Sequence, residues 1–110
     1  MVMVKEINSG VTTKNPASAE EQVEITFTAT TDSTGTFSGK TVVNTINGAE
    51  YKASVNQTIQ IPFLIMTKVG ETPWGYLFVN NILNAVQYNF DSDGRLNINT
   101  PVKILSFQKI

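Results

Sequence analysis

From Gln22 to Thr30 the chain alternates strictly. Val23, Ile25, Phe27 and Ala29 are apolar, while Glu24, Thr26, Thr28 and Thr30 are polar. Successive side chains of a strand point to opposite faces, so a period of two predicts an antiparallel strand with one wet face. The turn-rich run from Thr31 to Gly35 follows, and a second strand is predicted from Thr36 to Thr45, closing a hairpin. Asn47-Gly48 is a strong signal for a two-residue turn, because a type I′ turn needs positive φ at both central positions. It predicts a reversal into a strand at Tyr51–Val55, with a brief break at Asn56-Gln57.

The second half is patterned in the same way. Ile59, Ile61, Phe63 and Ile65 alternate with Thr58, Gln60, Pro62 and Leu64, which predicts a strand over Thr58–Lys68. Pro62 has no N–H to give a ladder, so that strand lies at an edge or carries a bulge there. Leu64 and Met66 make its end apolar on both faces, which calls for central burial or a covering partner. Val69 to Pro73 reads as a loop, and Trp74 to Val79 as a strand containing Gly75. Asn81 is placed to cap a short helical turn through Ile82, Leu83 and Val86. Val86, Tyr88 and Phe90 alternate with Gln87 and Asn89, and the turn Asp91-Ser92-Asp93-Gly94 returns the chain to Leu96 and Ile98. Pro101 ends that strand, and Val102–Gln108 forms the last one. Lys14–Glu21 is a second helical candidate, with Asn15 before Pro16 and capping-box spacing from Ser18 to Glu21.

These elements predict an all-β fold of about eight to nine short strands, with at most one or two short helical turns. The sheets form an antiparallel sandwich or a closed barrel; choosing between them requires a strand order that periodicity does not carry. Composition supports the class. Val, Ile and Thr supply 35 of the 110 residues, and these β-branched types suit a pleated, half-buried surface. The length fits a single domain, residues 1–110, with one core and no need of disulfide or metal staples.

The chain contains no histidine and no cysteine. That excludes Ser-His-Asp and Cys-His triads, and with them ordinary zinc, copper, haem and iron–sulfur sites. No cofactor is expected. An enzyme working with carboxylates and tyrosines would need strongly shifted pKa values and converging groups, and no spacing points to such a pair. Asp91-Ser92-Asp93-Gly94 resembles the start of a calcium loop, but its glycine comes early and Val102 stands where a bidentate glutamate belongs. Aspartate and glycine also belong in a tight turn on conformational grounds. Asn56-Gln57-Thr58 is a formal glycosylation sequon, meaningful only in a eukaryotic secretory pathway.

Charged residues make up 15% of the chain and the net charge is −1. Scattered basic residues give no electrostatic footprint for nucleic acid. The longest apolar stretch, Pro62–Met66, is far short of the roughly 20 residues of a spanning helix. The start of the sequence has no signal-peptide pattern, so a cytoplasmic or virion-associated setting is expected over a secreted one.

Two functional readings follow. The first is a non-catalytic structural or protein-interaction domain that self-associates or joins a larger assembly, such as a virion or surface structure. Low charge supports it, and its candidate interface is Phe63, Leu64 and Met66. The second is a small-ligand or carbohydrate binder whose site is lined by Trp74, Tyr76, Tyr51 and Tyr88. Trp74 lies between Pro73 and Gly75 at a junction where a ring can be presented outward or plug the core. The threonine face of Thr26, Thr28, Thr30, Thr34 and Thr36 is a regular binding surface, an amphipathic hairpin that inserts in a membrane, or a solvated outer face, which generic antiparallel alternation favours.

Overall fold

A computed structural model describes residues 1–14, 22–67 and 70–108. Among these residues ten strands form in the order β1 (Met3–Glu6), β2 (Thr12–Lys14), β3 (Glu24–Ala29), β4 (Thr34–Lys40), β5 (Thr45–Ala53), β6 (Ile59–Gln60), β7 (Leu64–Met66), β8 (Gln87–Phe90), β9 (Leu96–Asn99) and β10 (Lys103–Phe107). One helix, α1 (Pro73–Val79), and a 3-10 turn at Ile82–Asn84 lie between β7 and β8. The strands make two antiparallel sheets. The first runs β2-β1-β10-β9-β8, and the second runs β3-β4-β5 with both β6 and β7 on the far side of β5.

The sheets stack as a sandwich and do not close into a barrel. Among the described residues one isolated bridge, Thr58 to Gln87, joins the start of β6 to β8 of the first sheet. The inner faces follow from register. Val4, Leu105, Ile98 and Tyr88 are aligned across four strands of the first sheet. Phe27, Phe37, Ala49 and Leu64 are aligned across four strands of the second. Phe37, Phe78, Ile46, Ile82, Ile98, Leu105 and Val23 are fully buried between them. Each such side chain contributes roughly 1.5–3 kcal/mol relative to exposure. The opposite face of β3 and β4 is wet, with Thr26, Thr28 and Thr36 exposed to solvent as alternation requires.

Several elements differ from the sequence-based expectation. Asn47-Gly48 makes no turn; it lies inside β5, where the pairing with β7 shifts register between Ile46 and Gly48. The reversal occurs earlier, at Thr41–Asn44, so the strand expected over Thr36–Thr45 ends at Lys40. Thr41 N–H donates to the Asn44 carbonyl (2.9 Å), and Asn44 N–H donates to Thr41 Oγ1 (3.0 Å). This local side-chain closure competes successfully with the Asn-Gly signal, and the glycine serves a bulge instead. The strand expected over Thr58–Lys68 breaks around Pro62 into β6 and β7, both pairing with β5. β1 and β2 arise where the hydrophobic pattern predicts no strand. The candidate helix over Lys14–Glu21 falls almost wholly outside the described residues, with Lys14 ending β2.

The largest correction is at Trp74–Val79, which is helix rather than strand. Thr72 is its N-cap, Pro73 opens the first turn, and Gly75 N–H donates to Thr72 Oγ1 at 3.1 Å. A side-chain acceptor before proline at N1 is a helix start signal. Trp74 and Phe78, four residues apart, share the buried face. Asn81 precedes the 3-10 turn, yet its Nδ2 donates back to the Leu77 carbonyl (2.8 Å) rather than capping forward.

Glu71 joins α1 to the β4–β5 turn. Its carboxylate accepts from Thr41 Oγ1, from Asn44 Nδ2 (2.7 Å) and from Val43 N–H (3.1 Å). Thr67 extends the network, donating from Oγ1 to Asn44 Oδ1 (2.9 Å). Burial pushes the Glu71 carboxyl up, but the bonds from Thr41, Asn44, Val43 and Thr72 outweigh it and hold the group below its usual range.

A candidate site between the sheets

The hairpin turn of β3–β4 and the loop leading into β6 lie side by side at one end of the sandwich, lining a shared hollow. Thr31 Oγ1 accepts from Ser33 N–H (3.3 Å) and Thr34 N–H (3.0 Å), fixing the turn. Gln57 takes positive φ (64°) in the other loop, and its carbonyl accepts the Tyr88 N–H at 2.9 Å. That bond anchors the start of β8 while the rest of the strand runs on to Phe90.

Beside the β3–β4 turn lies a groove of about 280 Å³, walled by aromatic rings from both sheets. Phe27 and Tyr51 come from the second sheet, Tyr88 and Phe90 from the first. Phe27 and Tyr51 pack edge to face, with centroids 5.3 Å apart and planes at 88°. Tyr88 and Phe90 repeat that arrangement at 6.5 Å and 85°. Such perpendicular pairs are favoured by the ring quadrupole.

Gly35 sets the position of Tyr51. It stands between Ala29 and Tyr51 in register, and a Cβ there would meet Tyr51 Oη at 2.5 Å and the Thr28 carbonyl at 2.5 Å. The Tyr51 ring therefore lies across the bare glycine backbone, an aromatic cover for a strand glycine. Phe90 is the opposite case. It shares the inward-facing side of β8 with Tyr88, but the opposing sheet does not reach it, and it is 68% exposed. A phenylalanine left this open on an edge strand carries an unmet drive for burial. Thr31, Asp32, Ser33 and Thr34 form a polar rim.

The four aromatic residues expected to form a site are not brought together. Tyr51 and Tyr88 line the groove, whereas Trp74 and Tyr76 lie on α1. Trp74 is 3% exposed and belongs to the core, and Tyr76 lies on the exposed side of the helix. Trp74 emission is accordingly expected to be blue-shifted and insensitive to acrylamide, and unmoved by ligands in the groove; a solvent-like spectrum would overturn this placement. Phe27 and Phe90, which the sequence pattern does not single out, also line the groove. The alternation of Phe27 with threonines, and of Tyr88 and Phe90 with Gln87 and Asn89, is that of strands with one inward face, but nothing local shows where a sandwich is open.

The Phe63–Met66 segment is divided. Leu64 and Met66 are half-buried against the core, while Phe63 and Ile65 are exposed beside Gly48 and the threonines of the outer face.

The Asp91–Gly94 turn uses its acid structurally. Asp91 Oδ1 accepts from Asp93 N–H (2.9 Å) and Arg95 N–H (3.0 Å), and Oδ2 accepts from Asn97 Nδ2 (3.2 Å). The Arg95 bond is the main reason the Asp91 carboxyl lies below its usual range. Gly94 supplies the positive φ of 76° that the turn needs. Among the described residues no group of three or more acidic side chains is placed to hold a metal ion.

No helix among the described residues is long and apolar enough to cross a membrane. The chain matches no family model, no curated protein and no solved structure.

Proposed function

We propose that this protein works by binding, without catalysis, and that the groove between the sheets is where it binds. One observation carries the reading: four aromatic side chains from two different sheets converge on one open groove, and Phe90 at its mouth is left exposed. Binding sites are concave, mostly apolar, and bordered by a few polar groups that orient the ligand. The groove has that make-up, and its volume suits a small ligand or one apolar side chain. Amide NMR titration with a panel of small aromatic and amphiphilic compounds tests it. Shifts are expected to cluster at Phe27, Tyr51, Tyr88 and Phe90 and to vanish in Phe90→Ala. Shifts scattered over the surface, or centred elsewhere, would remove the groove from consideration.

A second reading, self-association, draws on Phe63 and Ile65. They project from the outer face of the second sheet beside a hollow of about 360 Å³, on a surface poor in charge. Light scattering across a concentration series is expected to give a mass above 12.1 kDa that returns to the monomer value in Ile65→Lys. A strict monomer at high concentration would end this reading.

A further inference from the structure

We infer that the groove receives a quaternary or methylated ammonium group carried by a small molecule. Such a site presupposes the groove as the binding surface proposed above. Three features of the lining select this chemistry. First, the rings of Phe27, Tyr51, Tyr88 and Phe90 form two pairs with nearly perpendicular planes, so the aromatic surface turns a corner around the space rather than forming one flat wall. Ring faces carry negative potential and attract a cation held over them, and aromatic cages take quaternary ammonium groups in this way. Second, Asp32 is the one carboxylate or cationic side chain among the described residues that line the groove. It adds negative potential at the rim, where the charge of an entering cation is still partly solvated. Lys52 lines the adjoining hollow and not the groove itself.

Third, the lining lacks the positive charge an anionic ligand needs, since it contains no arginine or lysine. The hydroxyls of Thr31 and Thr34 are already engaged with each other at 2.6 Å. A quaternary ammonium carries no N–H donor and needs no acceptor, so a lining of aromatic rings with one carboxylate at its rim satisfies it. The volume of about 280 Å³ accommodates a trimethylammonium head with a short tether.

Choline and its neutral carbon isostere, in which carbon replaces the nitrogen, test this by amide NMR titration at low ionic strength. Choline is expected to bind at least about tenfold more tightly than the isostere, the difference a partly desolvated cation–π site provides. Its methyl protons are expected to shift upfield under the ring currents. Phe90→Ala is expected to weaken choline about tenfold, and because the side chain is exposed the variant should keep the parent's Tm. Asp32→Asn is expected to weaken choline severalfold and to flatten its salt dependence. Equal affinity for choline and the isostere would overturn the ammonium assignment while leaving the groove as a binding site. Failure of both probes to bind would overturn both, and undiminished choline binding by Phe90→Ala would overturn the placement.

Discussion

Glu71→Ala is expected to remove about 3 kcal/mol of stability, because buried hydroxyl and amide donors lose a charged acceptor. Thr41 and Asn44 are 1% and 3% exposed, and both donate to the Glu71 carboxylate. The loss is larger than that of a surface ion pair because both donors are themselves almost fully buried. Gly75 makes the test specific. A Cβ on Gly75 would overlap the Glu71 side chain, which its hydrogen bonds hold in place. Gly75→Ala alone is therefore expected to cost about 1–3 kcal/mol despite the better helix propensity of alanine. In the Glu71→Ala background the obstacle is gone, and the same substitution is expected to stabilise by up to about 1 kcal/mol. Urea denaturation of the four proteins in this cycle gives the coupling. Additive effects would show that the two residues do not act on each other.

The same carboxylate sets an acid limit. The Glu71 pKa is lowered in the fold from its ordinary 4.5, so the folded protein binds its proton less readily than the unfolded chain. The stabilisation is complete above that ordinary value and is lost as pH falls through the lower folded value. Asp91, lowered chiefly by the Arg95 N–H, acts in the same direction and over the same side of neutrality. Stability should thus fall on acidification below about 4.5, and the fall should be shallower in Glu71→Gln.

How much was legible in the sequence depended on whether the determining contact was local. The strand β3 was plain because its alternation is set by the residues themselves, and the Asp91–Gly94 turn was plain because aspartate and glycine close it without outside help. The helix at Pro73–Val79 reads as a strand by period alone because Trp74, Tyr76 and Phe78 also fit a period of two. Thr72-Pro73 held the correcting signal, an N-cap followed by proline at N1. The site was half legible. Tyr51 and Tyr88 could be named as polar-tipped aromatics, but their meeting with Phe27 and Phe90 depends on sheet packing between residues dozens of positions apart. Exposure of Phe90 follows from where the opposing sheet stops, and no local pattern encodes that.

Gly39→Ala and Gly48→Ala are expected to have opposite weight to the one local turn signals assign. Asn47-Gly48 suggests a glycine held at positive φ, where alanine would be costly. Gly48 instead lies within β5, and a Cβ on it would meet nothing within 4 Å. Alanine there is expected to change stability by less than about 1 kcal/mol, with the reduced freedom of the unfolded chain acting in its favour. Gly39 carries no turn signal, yet its φ is 156° and a Cβ would collide with the Glu24 backbone carbonyl of the neighbouring strand. A backbone obstacle cannot swing aside as a side chain can. The cost is expected to be about 3 kcal/mol or more, combining backbone strain with overpacking. The damage should also reach the groove. Among the described residues β3 is an edge strand paired with β4 alone, and it carries Phe27, so prising Glu24 from Gly39 loosens one aromatic wall. Urea midpoints rank the two variants, and amide exchange on β3 shows whether Gly39→Ala opens that edge first. A costly Gly48→Ala beside a harmless Gly39→Ala would restore the turn at Asn47-Gly48 and overturn the register of the second sheet.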